Sequence, residues 1–180
     1  MIKKIKPNGF TLIELMVVVG IIGILSLLVI PNFIGIQRRE RVRSAAMEVA
    51  QDLRQIRERA LAQSGNYTMT FDNGAQPHQY ILTSPGGNLR NYLLAGTTGG
   101  HIWFGATGAQ NSHPPEGFIL PPANNGIDCQ AGNRTIVLDS RGGVTQSVIY
   151  ITDGAQNYAV GINPIGKIRI YRNAPGGGWF

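Results

Sequence analysis

An α+β fold, a long N-terminal helix packed against a C-terminal antiparallel β-sheet head, is predicted by three observations. An almost unbroken apolar run occupies residues 10–30, apolar residues then recur at helical spacing to about residue 63, and after Asn66 the apolar period changes to two. The expected organisation is a short basic segment (1–9), an apolar helix (10–30), an amphipathic stem helix (31–65) and a β-rich head (66–180). At 180 residues the chain has room for one core, which excludes a large multidomain enzyme. Charged residues make up 14% of the chain, against about 25% in a typical soluble domain. The net charge of +6 is concentrated early: Lys3, Lys4 and Lys6 precede the apolar run, and seven arginines against four acids occupy residues 31–66. The head carries little of it, so a wholly basic surface for nucleic acid is not expected.

The run FTLIELMVVVGIIGILSLLVI (residues 10–30) would span about 30 Å as a helix, the thickness of a bilayer's hydrocarbon layer. It is too long for the apolar region of a secretory signal peptide and lacks a small-residue cleavage site after it. Lysines before it and Arg38, Arg39, Arg41 and Arg43 after it give a divided vote on orientation. Glu14 is its one charge. A carboxylate inside a membrane span costs on the order of 3 kcal/mol at the helix centre and less near its end, so it marks a function and calls for a cationic partner.

Pro31 lacks an amide hydrogen and is expected to kink the helix. Beyond it, Ile34, Val42, Ala45, Ala46, Val49, Leu53, Ile56, Ala60 and Leu61 form a stripe suited to face the head. Arg38, Arg39, Arg41, Arg43, Arg54, Arg57 and Arg59, interspersed with Glu40, Glu48, Asp52 and Glu58, are read as a solvated side, the alternative being contact with anionic lipid headgroups or acidic neighbours. Ser64-Gly65-Asn66 supplies a helix stop.

In the head, strands are expected at 67–71, 79–83, 101–104, 117–120, 134–139, 144–152, 157–162 and 166–172, each rich in β-branched or aromatic residues and separated by turns such as Asp72-Asn73-Gly74 and Asp153-Gly154. They predict one antiparallel sheet on the stem helix. The Gly-, Pro- and Asn-rich stretch 84–133 gives the weakest pattern.

The N-terminal residues KPNGFTLIELMVVVGIIGIL resemble the class III signal of type IV prepilins and type II secretion pseudopilins: a short basic leader ending in Gly9, then Phe10, Glu14 four residues on, an apolar run, and Pro31 after it. The resemblance implies cleavage between Gly9 and Phe10 by a prepilin peptidase, methylation of the new amino group, and pairing of Glu14 with the N-terminal amine of a neighbouring subunit. It also implies an inner-membrane protein with a cytoplasmic N-terminus and a periplasmic head, assembled with other pilins or pseudopilins. Within that group, RTIVLDSRGGVT (134–145) and a last hairpin ending in INPIGKIRIYR (162–172) resemble the GspH/FimT family. The function so implied is that of a minor subunit of a type II secretion pseudopilus, contacting other minor subunits or the secreted substrate; the alternative is a minor type IV pilus subunit. Major pilins commonly close a C-terminal loop with a disulfide, which the single Cys129 cannot form.

No cofactor, metal or catalytic site is expected. His78, His101 and His113 lack metal-ligand spacing, Cys129 has no histidine near it in sequence, and the glycine clusters lack the Lys-Ser/Thr of a phosphate-binding loop. One binding expectation remains. Some FimT-type pilins take part in DNA uptake through a C-terminal Gly-Arg-x-Arg element, and Gly166-Lys167-Ile168-Arg169 is a near match. On a strand, Lys167, Arg169 and Tyr171 share a face, the cations suited to phosphate and the ring to base stacking, with Arg172 nearby.

Overall fold

The computed structural model describes residues 10–75, 77–94, 101–107, 126–129, 134–173 and 178–180; the side chains of 27–34 are not described. The leader with Gly9, the strand expected at 117–120 and His113 therefore lie outside the described residues. The chain divides into two units, residues 1–37 and 38–180. One helix, α1 (Leu12–Ala62), contributes to both, and it includes Pro31, which has no N–H to donate to the preceding turn.

In the first unit, Thr11 caps the helix: its hydroxyl accepts the backbone N–H of Glu14 at 3.3 Å and its carbonyl accepts that of Leu15. Every described side chain from Phe10 to Ser26 is exposed. Among the described residues no helix is long and apolar enough to cross a membrane; the described side chains of the apolar run end at Ser26.

In the second unit, Val42, Ala45, Ala46, Val49, Ala50, Leu53, Ile56 and Ala60 of α1 are buried. This is the expected stripe with Ala50 added, while Leu61 is exposed. The helix ends as a Schellman motif, with the Gly65 N–H reaching back to the Ala60 carbonyl. The left-handed position falls on Ser64 (φ 50°) and not on the glycine. Gly65 is instead needed for space, since a Cβ there would press on the Pro85 ring.

Among the described residues nine strands follow: β1 (Tyr67–Asp72), β2 (Gln79–Ser84), β3 (Gly87–Leu93), β4 (Trp103–Phe104), β5 (Ile127–Cys129), β6 (Thr135–Leu138), β7 (Ser147–Thr152), β8 (Asn157–Ile162) and β9 (Ile168–Arg172). They form two antiparallel sheets where the sequence suggested one. The first has the order β3-β2-β1-β6; the second runs β4-β7-β8-β9, with β5 also paired to β7. The main core joins α1 to the inner faces of both, through Met69, Phe71, Tyr80, Ile136, Ile149, Ile151 and Val160 among others. A smaller cluster of Val148, Tyr150, Ala159 and Tyr171 lies on the other face of the second sheet, against Ala106 and Trp179. This is why β7 and β8 are buried along their whole length and read as continuous apolar runs.

Aspartates build the turns. Asp72 accepts the N–H groups of Gly74 and Ala75, and its hydrogen bond from Gln79, followed by those N–H groups, holds its carboxyl below the usual range. Asp153 accepts the N–H groups of Ala155 and Gln156 between β7 and β8.

Candidate functional site

Two places carry the residues singled out from sequence, and each is described within its own unit. At the start of α1, Phe10 is 82% exposed and Glu14 is exposed on a helix whose apolar side chains face outward all round. Thr11 and Glu14 stand in the Ser/Thr-x-x-Glu spacing of a capping box, with the hydroxyl-to-Glu14 N–H half formed. That spacing is itself the sequence signal of a helix start at Thr11. Glu14 also sits in the first turn, where a negative charge is favoured by the helix dipole. Gly9 is outside the described residues.

The second place is the β8–β9 hairpin. Gly166 adopts φ +80°, and a Cβ there would overlap the Arg57 guanidinium. Arg57 of α1 lies across this turn and donates from Nη2 to the Ile165 carbonyl at 3.1 Å. It belongs to the packing of the hairpin and not to a solvated helix face as its sequence position suggested. Asn163 closes the turn by accepting the Lys167 N–H at 2.8 Å on its side-chain oxygen. Lys167, just before β9, and Arg169 on it are both exposed and two residues apart.

Tyr171 lies on the same side but does not join them: it is 6% exposed, packed into the outer cluster with Tyr150, Ala159 and Trp179. The expectation that its ring stacks on a base is corrected, because the sheet's outer face is covered at that end. Arg172 departs as well. It is half-buried on the other side of the strand, its guanidinium 5.8 Å from the Phe180 ring centroid. Of the four residues grouped from sequence, the structure leaves Lys167 and Arg169 together.

Other titratable groups of the second unit are tied into its packing. Burial, ahead of other influences, pushes the Cys129 thiol up, which favours an inert thiol. His78 is buried, accepts the Phe104 N–H on Nδ1 at 2.9 Å and lies against the Phe104 ring. Burial lowers its pKa, against the opposing pull of Asp72, so it is a neutral acceptor pinning β4. Glu48 and Asp52 lie one turn apart on α1. Burial raises both, and Asp52 further raises Glu48, while Asp52 accepts the Tyr80 hydroxyl at 2.6 Å. Among the described residues no group of three metal-ligating side chains converges.

Residues 6–30 match the family model of the prokaryotic N-terminal methylation motif. Over 106 residues, 56% of this chain and 81% of the relative, the sequence is 30% identical to the type IV wide pilus major component PilA4 of Thermus thermophilus. Over 36 residues, 20% of this chain and 16% of the relative, it is 62% identical to the type IV major pilin protein PilA of Myxococcus xanthus. Among solved structures, two of the minor pseudopilin EpsH of the Vibrio cholerae type II secretion system align at 14% identity. Their TM-scores are 0.44 and 0.46, covering 72% and 73% of this chain and 94% and 96% of theirs.

Proposed function

The chain belongs to the type IV pilin and pseudopilin superfamily, and from that premise we propose that it is a minor subunit of a type II secretion pseudopilus, cut after Gly9, methylated on Phe10 and built into the filament through the first part of α1. The observation that supports this most is the ring of exposed apolar side chains from Leu12 to Leu25, a stretch of α1 whose single carboxylate is Glu14. Such a helix is stable only when other apolar matter covers it: lipid before assembly, neighbouring helices afterwards. Glu14 then pairs with the amine of an adjoining subunit, replacing water that the covered helix excludes. The role is mechanical and not catalytic, the single buried Cys129 suits a minor subunit, and the partners are the prepilin peptidase and other subunits. The residues before Phe10 stay on the cytoplasmic side of the inner membrane and the head on the other.

A second reading, a type IV pilus subunit, is favoured by the two curated relatives, both type IV pilins. Disrupting the gene separates the two. Loss of exoprotein secretion with intact surface pili supports the pseudopilus; loss of pili with normal secretion supports the pilus. For assembly, Glu14→Ala is expected to be cleaved normally and yet be depleted from sheared filaments; normal incorporation would refute the pairing. For DNA, the surviving candidates are Lys167 and Arg169, and a gel shift unaffected by Lys167→Ala/Arg169→Ala would remove them.

A further inference from the structure

Beside the hairpin, with neither Lys167 nor Arg169 in its lining, the second unit holds a cleft of about 390 Å³ bounded by Arg39, Arg43 and Met47 of α1, Tyr158 of β8, Ile170, Tyr171 and Arg172 of β9, and Phe180. Arg39, Arg43 and Met47 are spaced by four and so follow one flank of the helix. The three arginines are poorly compensated. Arg43 is paired with Glu40 at 3.4 Å, both side chains about half exposed. Among the described residues Arg39 has no hydrogen bond or ion pair, and the Nε of Arg172 is buried without a hydrogen-bond partner. A buried guanidinium nitrogen left unpaired is costly, and an oxyanion in the cleft would offer the arginines that line it charge-assisted partners.

We propose that this cleft binds a phosphate group, with an anionic phospholipid headgroup as its source. Three guanidinium forks around one cleft exceed what the two oxygens of a carboxylate satisfy, whereas a phosphate offers more acceptor oxygens and bidentate geometry to Arg. Met47, Ile170 and Phe180 give the same cleft an apolar wall, suited to the glycerol and first methylenes of a lipid and of no use to a bare ion. A membrane-anchored subunit meets such a headgroup before it enters a filament. The binding itself requires no filament, so it stands or falls separately from the assembly role.

The test is native mass spectrometry of the full chain in dodecyl maltoside micelles doped with phosphatidylglycerol or with phosphatidylcholine. One saturable phosphatidylglycerol adduct is expected, at least about tenfold tighter than phosphatidylcholine. It should be weakened about tenfold by Arg39→Gln and by Arg172→Gln, and unchanged by Lys167→Gln/Arg169→Gln, which removes two charges outside the cleft. Arg39 is exposed, so its variant reports even if Arg172→Gln fails to fold, which a thermal melt reveals. Competition by millimolar inorganic phosphate, with no preference between the lipids, would keep the phosphate site and remove the lipid as its source. Equal loss in the Lys167/Arg169 control, preferential binding of an oligonucleotide through the cleft arginines, or no saturable binding of either probe would overturn the proposal.

Discussion

Leu25 and Leu53 lie on the same helix, yet Leu25 is 55% exposed and Leu53 is wholly buried. The residue type and secondary structure are identical; the difference is what covers them. Around Leu53 the chain supplies its own cover from two sheets. Around Leu25 it supplies none among the described residues, and Phe10, Leu12, Ile13, Leu15, Ile21 and Ile22 share that exposure. Apolar surface is tolerated at this density only where a membrane or another protein removes it from water. The second unit thus spends its leucines on its own stability and the first on association, which makes substitutions in the two regions separable by measurement.

The largest separation is expected between two glycines. Gly126 has φ +67°, and a Cβ there would overlap the backbone of Phe104 and Gly105, where its own carbonyl accepts the Tyr150 N–H. Gly126→Ala should cost about 4 kcal/mol or more and leave the head unfolded or nearly so. At Gly20 nothing lies within 4 Å of the place a Cβ would take, so Gly20→Ala should leave the melting temperature of the head unchanged. Next come the leucines. Leu53→Ala should destabilise the head by about 2–5 kcal/mol in urea unfolding, while Leu25→Ala should leave that transition in place and reduce retention in the membrane or filament. A matching loss of head stability from Leu25→Ala would break the distinction.

The same distinction explains what the sequence made legible. The buried stripe of α1 and strands β1, β2 and β9 follow from periodicity, because their apolar residues repeat with the spacing of the face they bury, whereas β8 was legible as a short apolar run between turns. Strand β3 (GNLRNYL) was not expected: it lies at the edge of its sheet and is exposed almost throughout, so no alternation marks it. Strand β5 has three residues, too few to show a period. The division into two sheets is a long-range fact that local pattern does not encode. At the sites, Glu14 was legible as a charge in an apolar run, whereas the separation of Tyr171 and Arg172 from Lys167 and Arg169 was not. Strand parity predicts the side of a residue but not whether Trp179 or α1 covers it.

A smaller effect concerns pH and lies wholly in the second unit. His78 has a folded pKa below its unfolded value of about 6.5. A histidine held neutral contributes stability that is present above that value and is lost as pH falls below it, because the unfolded chain then binds the proton more readily. Glu48 and Asp52, raised by burial, act in the opposite sense: their burial destabilises the fold once both are ionised, and protonation at lower pH relieves it. The melting temperature should therefore fall on acidification from pH 7 to about 5.5. Glu48→Gln should raise stability at neutral pH and leave that fall in place, and His78→Gln should flatten it. An acid fall of the same size in His78→Gln would show that His78 is not its source.

The smallest expected effect sharpens the reading of the hairpin. In Gly166-Lys167-Ile168-Arg169 the glycine and the cations serve different ends. Gly166 is required by its positive φ and by Arg57 lying where a side chain would go, so Gly166→Ala should lower the melting temperature clearly. Lys167 and Arg169 are exposed, and among the described residues neither side chain makes a hydrogen bond or ion pair. Lys167→Ala/Arg169→Ala should change the unfolding free energy of the head by less than about 0.5 kcal/mol. That near-zero change is what makes the double variant a clean probe: any loss of binding it shows belongs to the surface and not to the fold. A drop comparable with that of Gly166→Ala would mean that the two cations hold the hairpin together, and would withdraw them as candidates for a ligand.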